Sequence, residues 1–316
     1  MSMVAHIAPI LLPPAASTTV TACQRVVSGS REARVLRVPG YGARRASTRR
    51  STRAAALILF GATLAFGGIA VSPSDVSAAG KRVVVVVGPT GSHTGDYIKS
   101  AKSYAAKARS YGATVVEIYS PYATWSKVKS ALQGANMLIY LGHGNGWPSP
   151  YGPFQRYTKD GLGLNSTAGN GHYNVKYWGE YYIDRYVQMA DDAVVILNRL
   201  CYASGNSEWG SANPTKSVAI QRVDNYGAGF LRANAKAVFA EAVTSVGYII
   251  QNLFSSQRTM KEIFLSSPSR TMTYRFGFTS TRTSGMWAIL DPSAPGRYYR
   301  SVIGKLSTTA ASWRAG

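Results

Sequence analysis

RVVVVVGPTGSHTGDYIKSAKSYAAKARSYGATVVEIY, residues 82–119, decides the fold. Its first seven residues, RVVVVVG, hold a continuous β-branched run of five valines, the pattern of a strand buried on both faces of a parallel sheet. From 94 to 111, Tyr97, Ile98, Ala101, Tyr104, Ala105 and Ala108 recur at three and four spacing between polar residues, and Gly112 stops the pattern. The spacing predicts an amphipathic helix with a glycine stop. ATVVEIY at 113–119 is a second strand, so the stretch reads strand, helix, strand. Working outward, TWSKVKSALQ at 124–133 is a second helix and ANMLIYLG at 135–142 a third strand. A fourth buried strand, DAVVILN at 192–198, follows a helix near 178–189. Helix 216–234, strand 236–242 and a helix from 246 continue the alternation, and the tail from 270 suggests one or two further strands. The order predicts an α/β fold: a doubly wound, mostly parallel sheet flanked by helices in a three-layer sandwich.

Of the 316 residues, 46% are hydrophobic and 16% charged, a packed globular composition that excludes collagen-like and coiled-coil chains. Lys and Arg number 35 against 14 Asp and Glu, a net +21. The first 80 residues hold nine arginines and two acids, a net +7, which leaves +14 on the body. After Arg49, Arg50 and Arg53 comes the uncharged run AAALILFGATLAFGGIAV, 54–71, followed by small residues at Ser77, Ala78 and Ala79. A basic region, an apolar core and a small-residue cleavage site make an export signal, with a mature chain from near Gly80 or Lys81. The other reading is an uncleaved anchor through 54–71, the one membrane contact expected; both put the body outside, secreted or on the cell surface. Residues 1–79 therefore read as a low-complexity basic leader and 80–316 as one domain carrying an aromatic insertion, 145–190.

Cys23 lies in the leader, so Cys201 stands alone in the body and no disulfide forms within the mature chain. Strand three ends in LGHGNG with His143, and strand four in NRLCYASGNSE with Cys201. Parallel strands present their C-terminal ends along one edge, where ligand sites of open α/β sheets lie. Adjacent strands about 4.8 Å apart would bring imidazole and thiol together as a base and a nucleophile. An imidazolium beside the thiol favours the thiolate. Gly144 lets backbone approach a substrate closely, and its N–H with that of Cys201 can bind an oxyanion. Singly, a histidine before glycine is most simply a turn residue and a cysteine after a buried strand a core residue; the pair on adjacent strand ends is what points to chemistry.

MLIYLGHG, AVVILNRLCYASG and the following GFLRANAKAVFAEA resemble the clan CD cysteine peptidases, which include caspases, gingipains, legumains and CHAT domains. The resemblance covers roughly residues 82–255. It implies a caspase-like sheet of order 2-1-3-4 in its first half, and peptidase chemistry with His143 as general base and Cys201 as nucleophile. The chain departs from the group in having Leu200 where a small residue commonly precedes the nucleophile, with Arg199 one further back. Asn145, Trp147, Arg199 and Glu208 are expected to line the substrate cleft.

GPTGSHTG, 88–95, lacks the GK[ST] ending of a phosphate loop and reads as a strand–helix turn. His93 and His172 read as surface loop residues, and no metal or other cofactor is expected, since the histidines and Cys201 lack ligand spacing. Asp191 and Asp192 precede strand four, on the wrong edge to orient His143. Glu117 and Glu208 lie on the correct edge to orient His143, but each reads first as a solvated loop charge. The expected partner is a peptide or protein substrate. The alternative is a catalytically silent module binding envelope glycan or another anionic polymer through its Trp and Tyr surface; nucleic acid is disfavoured by the four Lys and Arg among residues 147–186.

Overall fold

The computed structural model describes residues 80–316, so the leader, its apolar run and Cys23 lie outside the described residues. Seven helices of α type and ten strands follow in the order β1 (Arg82–Val87), α1 (Thr94–Ser110), β2 (Thr114–Tyr119), α2 (Trp125–Leu132), β3 (Met137–Leu141), β4 (Leu162–Asn165), β5 (Val175–Trp178), α3 (Glu180–Tyr186), β6 (Ala193–Asn198), α4 (Lys216–Arg232), β7 (Ala235–Glu241), α5 (Gly247–Ser255), α6 (Met260–Leu265), β8 (Phe276–Thr279), β9 (Trp287–Leu290), β10 (Arg300–Gly304) and α7 (Ala310–Ala315). Eight strands form one sheet in the order β2-β1-β3-β6-β7-β10-β9-β8. The first five are parallel. Its first half has the 2-1-3-4 order, with β6 as the fourth strand of the main sheet.

Side-chain alternation explains the layers, because successive residues of a strand face opposite sides. Val84, Val86, Leu138, Val195 and Leu197 point to one face, where α2 (Val128, Leu132), α3 (Ile183) and α4 (Val223, Phe230) cover them. Val83, Val85, Val87, Ile139 and Ile196 point to the other, under α1 (Ala101, Tyr104), α5 (Ile249, Leu253), α6 (Phe264) and α7 (Trp313). The continuous valine run of β1 is thus buried on both sides.

The tail supplies three strands rather than one or two, and all three run antiparallel to their neighbours. The aromatic insertion is not wholly irregular: β4 and β5 pair as a small antiparallel ribbon, Leu162 opposite Trp178 and Gly163 opposite Tyr177. Leu162 and Leu164 anchor that ribbon in the core. The helix expected near 178–189 is the shorter α3, opened by the exit from β5 and closed by the extended backbone of Val187.

Candidate active site

In the register of β3 with β6, Leu141 stands opposite Asn198, and in that of β1 with β3, Val87 stands opposite Leu141. The chain after each strand therefore leaves the sheet at one edge, with His143 two residues past β3 and Cys201 three residues past β6. The two loops touch backbone to backbone. A Cβ placed on Gly144 would overlap the Cys201 carbonyl oxygen and lie 3.0 Å from its carbonyl carbon and nitrogen. Only glycine permits that approach.

Cys201 is 3% exposed, flanked by two residues with left-handed backbone, Arg199 (φ 62°) and Tyr202 (φ 70°). Such conformations are costly outside glycine and persist where the surroundings impose them. Arg199 N–H donates to the Glu241 carbonyl at 2.9 Å, and Asn198 Nδ2 to the carbonyls of Glu241 and Thr244 at 2.8 and 2.9 Å. The Arg199 guanidinium lies 5.4 Å over the Tyr97 ring. Leu200 is 1% exposed and packs in the same core cluster as Cys201.

His143 is half-buried. Burial pulls its imidazolium below the ordinary histidine range, and the nearby His93 pulls in the same direction. Both influences favour the neutral ring over the imidazolium. Neither Glu117 nor Glu208 is among the groups that move it. Glu117 is paired with Arg109 at 2.5 Å and hydrogen-bonded to Tyr119, and Glu208 accepts from the Tyr151 hydroxyl at 3.0 Å. Asp192 faces Lys236 at 3.7 Å before β6, on the opposite edge.

Tyr140, on β3, holds the His143 loop from below. Its hydroxyl lies 3.1 Å from the His143 carbonyl and 2.8 Å from the Gly163 carbonyl, and it accepts from Gly163 N–H at 3.0 Å. Arg222, on α4, ties the two loops together. It is 5% exposed, donates from Nε to the Pro148 carbonyl at 2.7 Å, and from Nη1 to the Asn206 carbonyl at 2.8 Å and the Ser207 hydroxyl at 3.1 Å. Burial, first of all, pushes the phenols of Tyr151, Tyr177 and Tyr202 upward and the Arg222 guanidinium downward.

The four expected cleft residues take different places. Asn145 is a strut, its Oδ1 accepting from Lys159 Nζ at 2.8 Å and its Nδ2 donating to the Thr158 carbonyl at 2.9 Å. Trp147 packs on Phe154 with ring centroids 6.0 Å apart, and its backbone N–H donates to Asp160 Oδ1 at 3.0 Å. Arg199 leans on Tyr97, as above. Glu208 alone of the four lines the cavity of about 310 Å³ between the loops after β6 and β7, with Trp209, Val243, Arg297 and Tyr299.

His93 is half-buried at the end of the turn Gly91–His93, on the same edge as His143. The signal was present: it follows β1, and β1 neighbours β3. His172 is likewise half-buried, its Nδ1 3.0 Å from the Ser120 hydroxyl. Tyr140, Tyr177, Asp160 and Arg222 were not anticipated. Among the described residues no group of three or more His, Cys, Asp or Glu is arranged to hold a metal ion.

No family model matches this chain. No curated protein matches it. Among solved structures, a secreted C11 cysteine protease from Bacteroides thetaiotaomicron in complex with an irreversible peptide inhibitor aligns with a TM-score of 0.33 and 10% identity, covering 67% of this chain and 66% of that one. A second structure of a secreted C11 cysteine protease from that organism, "iotapain", aligns with a TM-score of 0.31 and 11% identity over 67% of each chain. A protein from Geobacter sulfurreducens aligns with a TM-score of 0.30 and 13% identity, covering 59% of this chain and 87% of that one.

Proposed function

We propose that this chain is an exported cysteine peptidase of the caspase and gingipain type, with Cys201 as nucleophile and His143 as general base. The neutral imidazole of His143 takes the thiol proton as Cys201 Sγ attacks the peptide carbonyl carbon. The π pair of that carbonyl moves to its oxygen, where the N–H groups of Gly144 and Cys201 serve as donors. When the pair returns, the C–N bond breaks and the amine leaves with the proton carried by His143; water then hydrolyses the thioester by the same route. The observation that carries this reading is the contact of the Gly144 and Cys201 backbones at the shared strand edge. Treatment of the chain with a panel of peptidyl electrophiles, followed by mass spectrometry, is expected to place the adduct on Cys201 and to lose it in His143→Ala. An adduct formed equally in both proteins removes the pair.

A second reading is favoured by the aromatic insertion, where Lys176 lies 4.7 Å over the Trp178 ring and Arg156 5.4 Å over Tyr181. Cation-capped rings suit an anionic glycan of the cell envelope. Full retention of Cys201→Ala on such a polymer, with no peptide hydrolysed by the wild type, decides for a silent binding module.

A further inference from the structure

The candidate site contains a buried donor that the mechanism above does not use. Tyr177 sits on β5 opposite Gly163 of β4. At the point where a Gly163 side chain would begin, Tyr177 Cε1 is 3.1 Å away and His143 Cβ 3.3 Å. The Tyr177 ring and the root of the His143 side chain thus meet over Gly163, and the glycine makes room for both. The other buried tyrosines of this region are committed to protein acceptors. Tyr104 donates to Asn198 Oδ1 at 3.1 Å, Tyr226 to the Gly161 carbonyl at 2.9 Å and Tyr140 to the Gly163 carbonyl at 2.8 Å. The Tyr177 hydroxyl oxygen is buried and has no protein partner.

We infer that the Tyr177 hydroxyl is a third oxyanion donor, a catalytic group whose acceptor is the substrate carbonyl oxygen as Cys201 attacks. The role rests on the peptidase reading. An unpaired buried hydroxyl is unfavourable until an acceptor meets it, so the bond forms where charge develops on substrate, which is where a donor accelerates a reaction. The phenol keeps its own proton throughout: it hydrogen-bonds the oxygen while the C–S bond exists and releases it when the C–N bond breaks. Burial, first of all, holds the phenol far above its ordinary value, so it keeps its proton and stays a donor.

Tyr177→Phe keeps the ring and removes only the hydroxyl. Loss of one oxyanion donor lowers turnover by about 10²-fold, with KM for the same peptide held within about twofold because the bond is absent from the ground state. The rate of Cys201 alkylation by iodoacetamide, which forms no oxyanion, is expected to stay at the wild-type value. Affinity for a peptide aldehyde, whose adduct carries the tetrahedral oxygen, should fall in step with kcat. Undiminished kcat in Tyr177→Phe beside an active wild type overturns this role alone, and so does a fall in kcat matched by an equal fall in alkylation rate. A wild type that hydrolyses no peptide and forms no adduct overturns the peptidase reading, and this role with it.

Discussion

Asp160 illustrates how one side chain can be committed to a loop at the expense of its own charge. It is fully buried with left-handed backbone (φ 60°), a conformation that aspartate and asparagine tolerate better than most residues. Oδ1 accepts the Trp147 N–H, four residues beyond His143, whereas Oδ2 has no protein partner. Burial pushes the carboxyl up to about 8, and the Glu180 charge adds to this against the Trp147 hydrogen bond and the charges of Arg282 and Lys159. The folded state therefore holds a proton that the unfolded chain gives up near pH 4. That contribution to stability is fully present below about pH 4 and is lost as pH rises through about 8. Asp160→Asn keeps the acceptor and the backbone while removing the titration. In urea unfolding at pH 4, 6 and 8, the wild type should lose stability relative to Asp160→Asn across the series. Parallel pH dependences would show that Asp160 titrates alike in both states. No sequence pattern marks this residue, because KDGLG reads as a polar turn and its burial is created by β4, β5 and α3 closing over it.

At the scale of elements, α4 links the two loops of the site. The apolar spacing from 216 to 234 announces the helix, but an arginine inside an amphipathic helix reads as part of its solvated face. Arg222 instead points inward, because the loops after β3 and β6 leave carbonyls of Pro148 and Asn206 that need donors. Tyr202, 4.8 Å beneath the guanidinium, supplies a ring face in place of a carboxylate. A planar guanidinium holds its donors in a fixed fork that reaches acceptors on both loops, whereas an ammonium offers three rotatable donors from a single point. Arg222→Lys is expected to lower unfolding free energy by about 2 kcal/mol and to slow peptide turnover by about tenfold or more, since displacement of one loop relative to the other misplaces reacting groups. Urea titration and kcat/KM measure the two effects; an unchanged kcat/KM would show that the loops hold their relative position without the clamp. Elements differ in legibility for a related reason. β1, β3 and β6 carry unbroken apolar runs buried on both faces, so their identity is local. β4, β5, β8 and β9 are four residues each, shorter than the window over which periodicity discriminates, and only their partners define them as strands.

Across the whole molecule, the sheet changes from parallel to antiparallel between β7 and β10, and a buried ion cluster marks the seam. Arg300, the first residue of β10, is 3% exposed; its Nε donates to Glu241 Oε1 at 3.0 Å, Nη1 to Asp291 Oδ2 at 2.5 Å and Nη2 to the Phe264 carbonyl at 2.6 Å. Glu241 accepts the Tyr248 hydroxyl as well, and its own carbonyl receives the Arg199 N–H ahead of Cys201. One residue thereby couples the tail strands to the loop of the proposed nucleophile. The His–Cys edge was legible because it follows from strand order and two short motifs. This coupling was not, since Glu241 and Arg300 stand 59 positions apart and Arg300 lies outside every motif quoted, so nothing in the sequence pairs the two. Burying charges is costly, and such clusters hold a structure through complete pairing; removal of one partner leaves the others uncompensated. Burial already pushes the Glu241 carboxyl upward against the pull of Arg300. Glu241→Ala should therefore lower unfolding free energy by about 3–5 kcal/mol, read by urea denaturation. Replacing Glu241, Asp291 and Arg300 together with apolar residues of similar volume should recover most of that loss, because no charge is then stranded. A triple variant as unstable as Glu241→Ala would locate the contribution in the hydrogen bonds to Tyr248 and Phe264 rather than in the pairing of charges.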